Sequence, residues 1–133
     1  MISRPLLHAV RVVDAVLFWP VLAFVVWGEL SASSEHIFHG LFALFNDKVL
    51  HFQAYFLLGA MAGAALKRRE AGLRAVIGLI LLGAVLEVIQ FFVGRDASVY
   101  DELANTLGAV SGAIFARAIV EAMRRRWAYK ETS

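Results

Sequence analysis

Three short stretches of the chain set ionisable and amide side chains at helical spacing. Asp47, His51 and Tyr55 lie four residues apart, with Lys48 beside the first of them. Glu87 and Gln90 lie three apart and are followed by Arg95, and Asp101 and Asn105 are again four apart. Residues three or four apart share one face of a helix, so each stretch would present its polar groups as a row. Two kinds of chemistry are open to them. His51 and Glu87 are side chains suited to acid/base catalysis, whereas Lys48 and Arg95 recognise phosphate or carboxylate, the arginine in bidentate fashion. Tyr55, Gln90 and Asn105 would add neutral hydrogen bonds, while Asp47 and Glu87 would hold the basic groups in place. There is no serine-centred elbow and no cysteine, so a reaction here would rely on water or a substrate hydroxyl as nucleophile. The lack of cysteine also excludes disulfides and thiolate metal sites. A cation held by Asp47, His51, Glu87 and Asp101 has no recognised ligand spacing behind it. Neither a metal nor another cofactor is expected.

The elements that must carry these residues are apolar. Of 133 residues 60% are hydrophobic and mean hydropathy is +0.69, too high for a small soluble domain. Four apolar stretches, Val10 to Trp27, Val49 to Leu66, Ala75 to Val93 and Val99 to Val120, are each long enough to cross a hydrocarbon layer of about 30 Å. Lipid offers backbone amides no partner, so these stretches should be helices, and the expected fold is an all-α bundle of four transmembrane helices forming one domain. A basic start followed by an apolar stretch has no clean cleavage site after it, so the first helix is expected to be retained. The run from Ser33 to Phe45, with His36 and His39, is too short to span and is expected to form an interfacial helix. The tail after Trp127 is expected to fray. Small residues recur at helical spacing, Gly59 and Gly63 in the second stretch and Ala104, Gly108, Gly112 and Ala116 in the fourth, a pattern that lets helix backbones approach closely.

The net charge of +2 does not point to nucleic acid, because the basic residues flank apolar segments. Arg4, Arg11, Lys67, Arg68, Arg69, Arg74, Arg117, Arg124, Arg125, Arg126 and Lys130 fall on one side of the four spans, and Lys48 and Arg95 on the other. The positive-inside rule then puts both termini in the cytoplasm and the loops Glu29 to Asn46 and Gly94 to Ser98 outside. In that topology all three polar rows meet at the outer surface. An intramembrane carboxylate such as Glu87 needs a partner, for which His51, Lys48 and Arg95 are the candidates, whereas Asp101 could also serve a helix's first turn. The inner halves of the helices offer no continuing polar path, and Arg11 and Asp14, three apart, are expected to pair locally. Transport of protons or solutes is therefore the weakest of the functional readings.

The pattern Asp47-Lys48-x-x-His51-x-x-x-Tyr55, Glu87-x-x-Gln90, Arg95 and Asp101-x-x-x-Asn105-x-x-Gly108 resembles the VanZ-like family over about Asn46 to Phe115. The set in this order is specific, whereas any one part would be weak. The family is named for a protein associated with resistance to the glycopeptide teicoplanin. The resemblance implies a small multi-pass protein of the bacterial cytoplasmic membrane connected with the cell envelope, and it supplies no reaction. Two functions remain in view: capture of an anionic, lipid-linked envelope molecule or a protein partner by Asp47, Lys48, His51, Tyr55, Glu87, Gln90, Arg95, Asp101 and Asn105, or catalysis on such a molecule by His51 and Glu87.

Overall fold

The computed structural model describes residues 4–31, 37, 40, 46–66, 68–95 and 97–131, with side chains described between residues 8 and 126. Helix α1 spans Arg4–Leu30, α2 Asp47–Ala65, α3 Arg69–Phe92 and α4 Val99–Glu131. There is no strand among the described residues. Each helix overruns the apolar stretch that announced it at one end or both, α2 and α3 only at their starts. The α1 helix takes in Glu29 and Leu30, which were expected to begin the loop, and α4 stays helical to Glu131 where fraying was expected. The expected interfacial helix, with His36 and His39, lies outside the described residues.

Among the described residues, three helices are long and apolar enough to cross a membrane: His8–Leu30 in α1, Arg69–Phe92 in α3 and Val99–Arg126 in α4. Their outward faces, with Val16, Leu17 and Trp19 on α1, Leu81, Val85 and Val88 on α3, and Leu103, Leu107 and Ile114 on α4, are exposed. Apolar faces of that extent would be uncovered in water and are matched by lipid tails. The chain is a membrane protein. The α2 helix is not among the three apolar ones. It is 19 residues long, about 28 Å at the usual helical rise, and begins with Asp47, Lys48 and His51. Like α3 it touches all three other helices, and its packing on α4 is the most extensive in the bundle, so protein rather than lipid surrounds much of it and its polar start has neighbours to meet.

The most extensive packing joins α2 to α4, and glycine makes it possible. A Cβ at Gly59 would collide with the carbonyl of Ala109, one at Gly63 with that of Ala113, one at Gly108 with that of Phe52 and one at Gly112 with that of Phe56. Backbone rests directly on backbone along this seam. Tyr55, Leu58, Val76, Leu79 and Ala109 form the buried core beside it, and Phe18, Val21, Leu22 and Val25 of α1 pack against that core. By contrast α1 and α4 barely touch, leaving a cleft above the end of α2.

Candidate functional site

The start of α2, the end of α3 and the start of α4 meet at one end of the bundle, and the end of α1 closes over them. The ends of the elements are set by local chemistry. Asn46 caps α2, its side chain accepting from the Lys48 amide at 3.0 Å, and Asp47 adds a carboxylate to the first turn. Ser98 caps α4 by accepting from the Tyr100 amide at 3.3 Å. Asp101 is thereby released from the capping role that its position suggested. Gly94, at a φ of 78°, turns the chain between α3 and α4, a conformation that a side chain would resist.

His51 is at the centre of this end. Its Nδ1 lies 3.1 Å from Asn105 Oδ1 and 3.7 Å from Glu29 Oε1, and its Nε2 lies 3.8 Å from Asp47 Oδ1. Asn105 is fully buried, and its Nδ2 donates to Glu102 Oε2 at 3.4 Å, while Thr106 donates to the other Glu102 oxygen at 3.3 Å. The amide therefore turns its oxygen to His51, which fixes the proton of the neutral ring on Nδ1. Nε2 is left facing Asp47, on the more open side of the site.

Lys48 and Asp101 form the second pair, with Nζ 3.2 Å from Oδ1. They are unequal partners, since the lysine side chain is 47% exposed and the aspartate only 4%, so water reaches the cation while the anion depends on it. Ligand atoms of Asp47, His51 and Asp101 lie within 4.8 Å of one another, close enough for a cation to be held by all three, although spacing along the chain had suggested no metal. The Lys48 ammonium already supplies Asp101 with positive charge at this place.

The remaining expected residues serve the frame. Gln90 is buried and donates to the Glu29 carbonyl at 2.9 Å. Arg95 donates to the carbonyls of Ser31 at 2.9 Å and Gly28 at 3.4 Å. Both tie the end of α3 to the last turn of α1, whose carbonyls have no partner within their own helix. Glu87 was expected to meet His51, Lys48 or Arg95. Its Oε2 instead accepts from the Ser98 amide at 2.8 Å, holding the start of α4, and His51 is within its electrostatic reach. Tyr55 is fully buried, and its hydroxyl lies beside the Glu29 carboxylate but outside hydrogen-bonding geometry.

The structure thus brings Asp47, Lys48, His51, Tyr55, Asp101 and Asn105 together and uses Glu87, Gln90 and Arg95 largely as struts. It adds two carboxylates that the sequence reading passed over, Glu29 and Glu102. Glu102 had a signal, since Asn105 and Thr106 lie three and four residues after it. Glu29 had none, because it follows an apolar run and reads as the first residue of a loop. Gly83 makes room for this arrangement: a Cβ there would strike the Glu102 carboxylate and press on Asn105 and the Tyr55 hydroxyl.

Comparison with curated proteins gives no match. Comparison with solved structures gives none either. A family model described as VanZ/LLP1 matches residues 6–120, which takes in α1 as well as the three helices that carry the polar pattern. With the match covering most of the chain, the protein belongs to the VanZ/LLP1 family.

Proposed function

We propose that the His51 end of the bundle is an outward-facing site that captures an anionic, lipid-linked molecule of the cell envelope, in a protein of the bacterial cytoplasmic membrane with both termini inside. The observation that supports this most is the position of Lys48. Half exposed above buried Asp101, it stands where the starts of α2 and α4 converge, and helix starts favour negative charge. Asp47 and His51 flank it, so a phosphate bearing a hydroxyl or sugar would find a cation, an imidazole and a carboxylate within one small area. Glu29, Glu87 and Glu102 are more enclosed, and Glu87 and Glu102 are met by donors of the chain itself.

The test is binding of a polyprenyl phosphate to the purified protein, with the uncharged polyprenol as reference. The phosphate should bind at least about tenfold more tightly, and Lys48→Gln should remove most of the difference. Equal binding of the two lipids would defeat the proposal. Orientation is tested separately. The chain has no cysteine, so Ala97→Cys and Lys130→Cys each give a single thiol; an impermeant reagent on intact cells should label the first and spare the second.

A second reading, catalysis on the same lipid-linked molecule, is favoured by one observation. The chain Glu102, Asn105, His51 holds the ring through Nδ1 and turns Nε2 toward the open side beside Asp47, where a group that exchanges protons with a substrate would stand. Under it, His51→Gln should abolish turnover of a polyprenyl-linked substrate while leaving its binding within about threefold, and Glu87→Gln should lower turnover with little loss of binding. Turnover unchanged in His51→Gln would remove this reading.

A further inference from the structure

The opposite end of the bundle holds a cavity of about 460 Å³, lined by Arg11 of α1, Gly63 and Leu66 at the end of α2, and Arg117, Val120, Glu121, Arg124 and Arg125 of α4. It exists because α1 and α4 both lean on α2 and barely touch each other. Four guanidinium groups from two helices share this one space with a single carboxylate. That carboxylate is already engaged, since Arg125 Nη2 donates to Glu121 Oε1 at 2.9 Å.

The other three arginines have little of the chain to bind. Arg11 was expected to pair with Asp14. Its Nε instead donates to the Ala64 carbonyl at 3.3 Å, at the partnerless end of α2, and Asp14 Oδ2 is left without a hydrogen-bond partner. Arg117 reaches beside Gly72 of α3. Neither Arg117 nor Arg124 makes a hydrogen bond or ion pair among the described residues. Arg11 and Arg124 are close enough to repel. The positive-inside rule accounts for arginines on this side of the membrane, but it is satisfied wherever along the flanks they stand and gives no reason for like charges to converge on one cavity.

We propose that this cleft is a binding site for the phosphate of an anionic membrane lipid. Guanidinium groups with free donors match phosphate oxygens in number and geometry, and one phosphate can relieve the repulsion among several of them. The floor of Gly63, Leu66 and Val120 is apolar, so the space suits a group that is charged at one end and greasy at the other. Its level also fits. At 33 residues α4 is about 50 Å long, more than the hydrocarbon needs, so its arginine-bearing turns reach the depth of the headgroups, where basic pockets between helices hold anionic lipid. The site is separate from the His51 end and does not depend on what that end binds.

The experiment compares three probes on protein purified in neutral detergent: phosphatidylglycerol, phosphatidylcholine and inorganic phosphate, read by native mass spectrometry and by thermal shift. Phosphatidylglycerol should bind at least about tenfold more tightly than phosphatidylcholine, and the double variant Arg117→Gln/Arg124→Gln should lose at least about tenfold of that affinity. Arg126→Gln, which removes a charge just outside the cavity, should retain it, and helical content by circular dichroism should be unchanged in all variants. Full affinity in the double variant, or an equal loss in Arg126→Gln, would overturn the site. Inorganic phosphate matching the lipid at equal concentration would overturn the lipid as its occupant.

Discussion

The two ends of this bundle hold charge in opposite ways. At the His51 end, Glu87 and Glu102 accept hydrogen bonds from the protein, Asp101 is paired with Lys48, and buried Asn105 links His51 to Glu102. At the arginine end, four cations face one cavity and a single glutamate, hydrogen-bonded to Arg125, is also within electrostatic reach of Arg117 and Arg124. The first end is closed on itself by four helix termini, whereas the second is open because two helices do not meet. Carboxylates met by donors of their own chain can be built for stability or chemistry, whereas cations without an answering anion are relieved by one from outside; even at the His51 end, Glu29 Oε1, the Tyr55 hydroxyl and Asp101 Oδ1 are buried without a hydrogen bond. The difference lies in how charge is met, largely by the chain's own groups at the His51 end and by few of them at the arginine end.

Both ends hang on the glycine seam between α2 and α4, and breaking it should have the largest effect. Gly112→Leu would drive a side chain into the backbone of Phe56 and Ala60, and Gly59→Leu into that of Ala109. Neither strand of the seam can yield without moving a whole helix, so a loss of more than about 3 kcal/mol is expected. Thermal unfolding in detergent, followed by tryptophan fluorescence, should show the transition lost or strongly lowered, with binding at both ends gone. The control is Gly78→Ala, where nothing lies within 4 Å of the added methyl and helix propensity should stabilise by about 0.5 to 1 kcal/mol.

Next in size is a change confined to one end. Asn105→Leu keeps the volume but strips His51 Nδ1 of its acceptor and Glu102 of a donor. Leaving such groups unsatisfied costs about 1 to 3 kcal/mol each, less where water can enter, so a total of about 2 to 3 kcal/mol is expected. Lipid affinity at the arginine end should stay within about twofold, which native mass spectrometry reads directly. Loss of affinity at both ends would mean that they form one cooperative unit and that the contrast between them is superficial.

How far the sequence led depends on what each residue's environment was. The helices were legible because apolar runs and small-residue stripes report the two surroundings, lipid and neighbouring backbone, that any such helix must meet. Asp47, His51, Asp101 and Asn105 were legible because a shared helix face brings residues four apart together. Glu29 was not, since its partners come from α2 and no spacing within α1 points to them. Nor could spacing tell that Glu87, Gln90 and Arg95 would be taken up by the backbone of Ser98, Glu29, Gly28 and Ser31, because loose carbonyls and amides at helix ends leave no mark in composition. The pairing of Arg11 with Asp14 failed for the same reason, as the unpaired end of α2 lay within reach.

The smallest expected effects carry the sharpest contrast, because they differ in sign. Lys48→Gln removes a half-exposed cation from a buried anion, so the charge left on Asp101 should cost about 1 kcal/mol, moderated by the water that already reaches the lysine. Arg124→Gln removes a cation that repels Arg11 and makes no ion pair, being only within electrostatic reach of exposed Glu121, and with no anion bound it should leave stability unchanged or raise it by less than about 0.5 kcal/mol. Both variants lower the net charge by one, so a uniform electrostatic effect would move them together. Thermal midpoints that shift in opposite directions in lipid-free detergent would place the difference in the local partners. Adding an anionic lipid should then reverse the order for Arg124→Gln alone, since wild-type protein gains a counter-ion there that the variant binds less well.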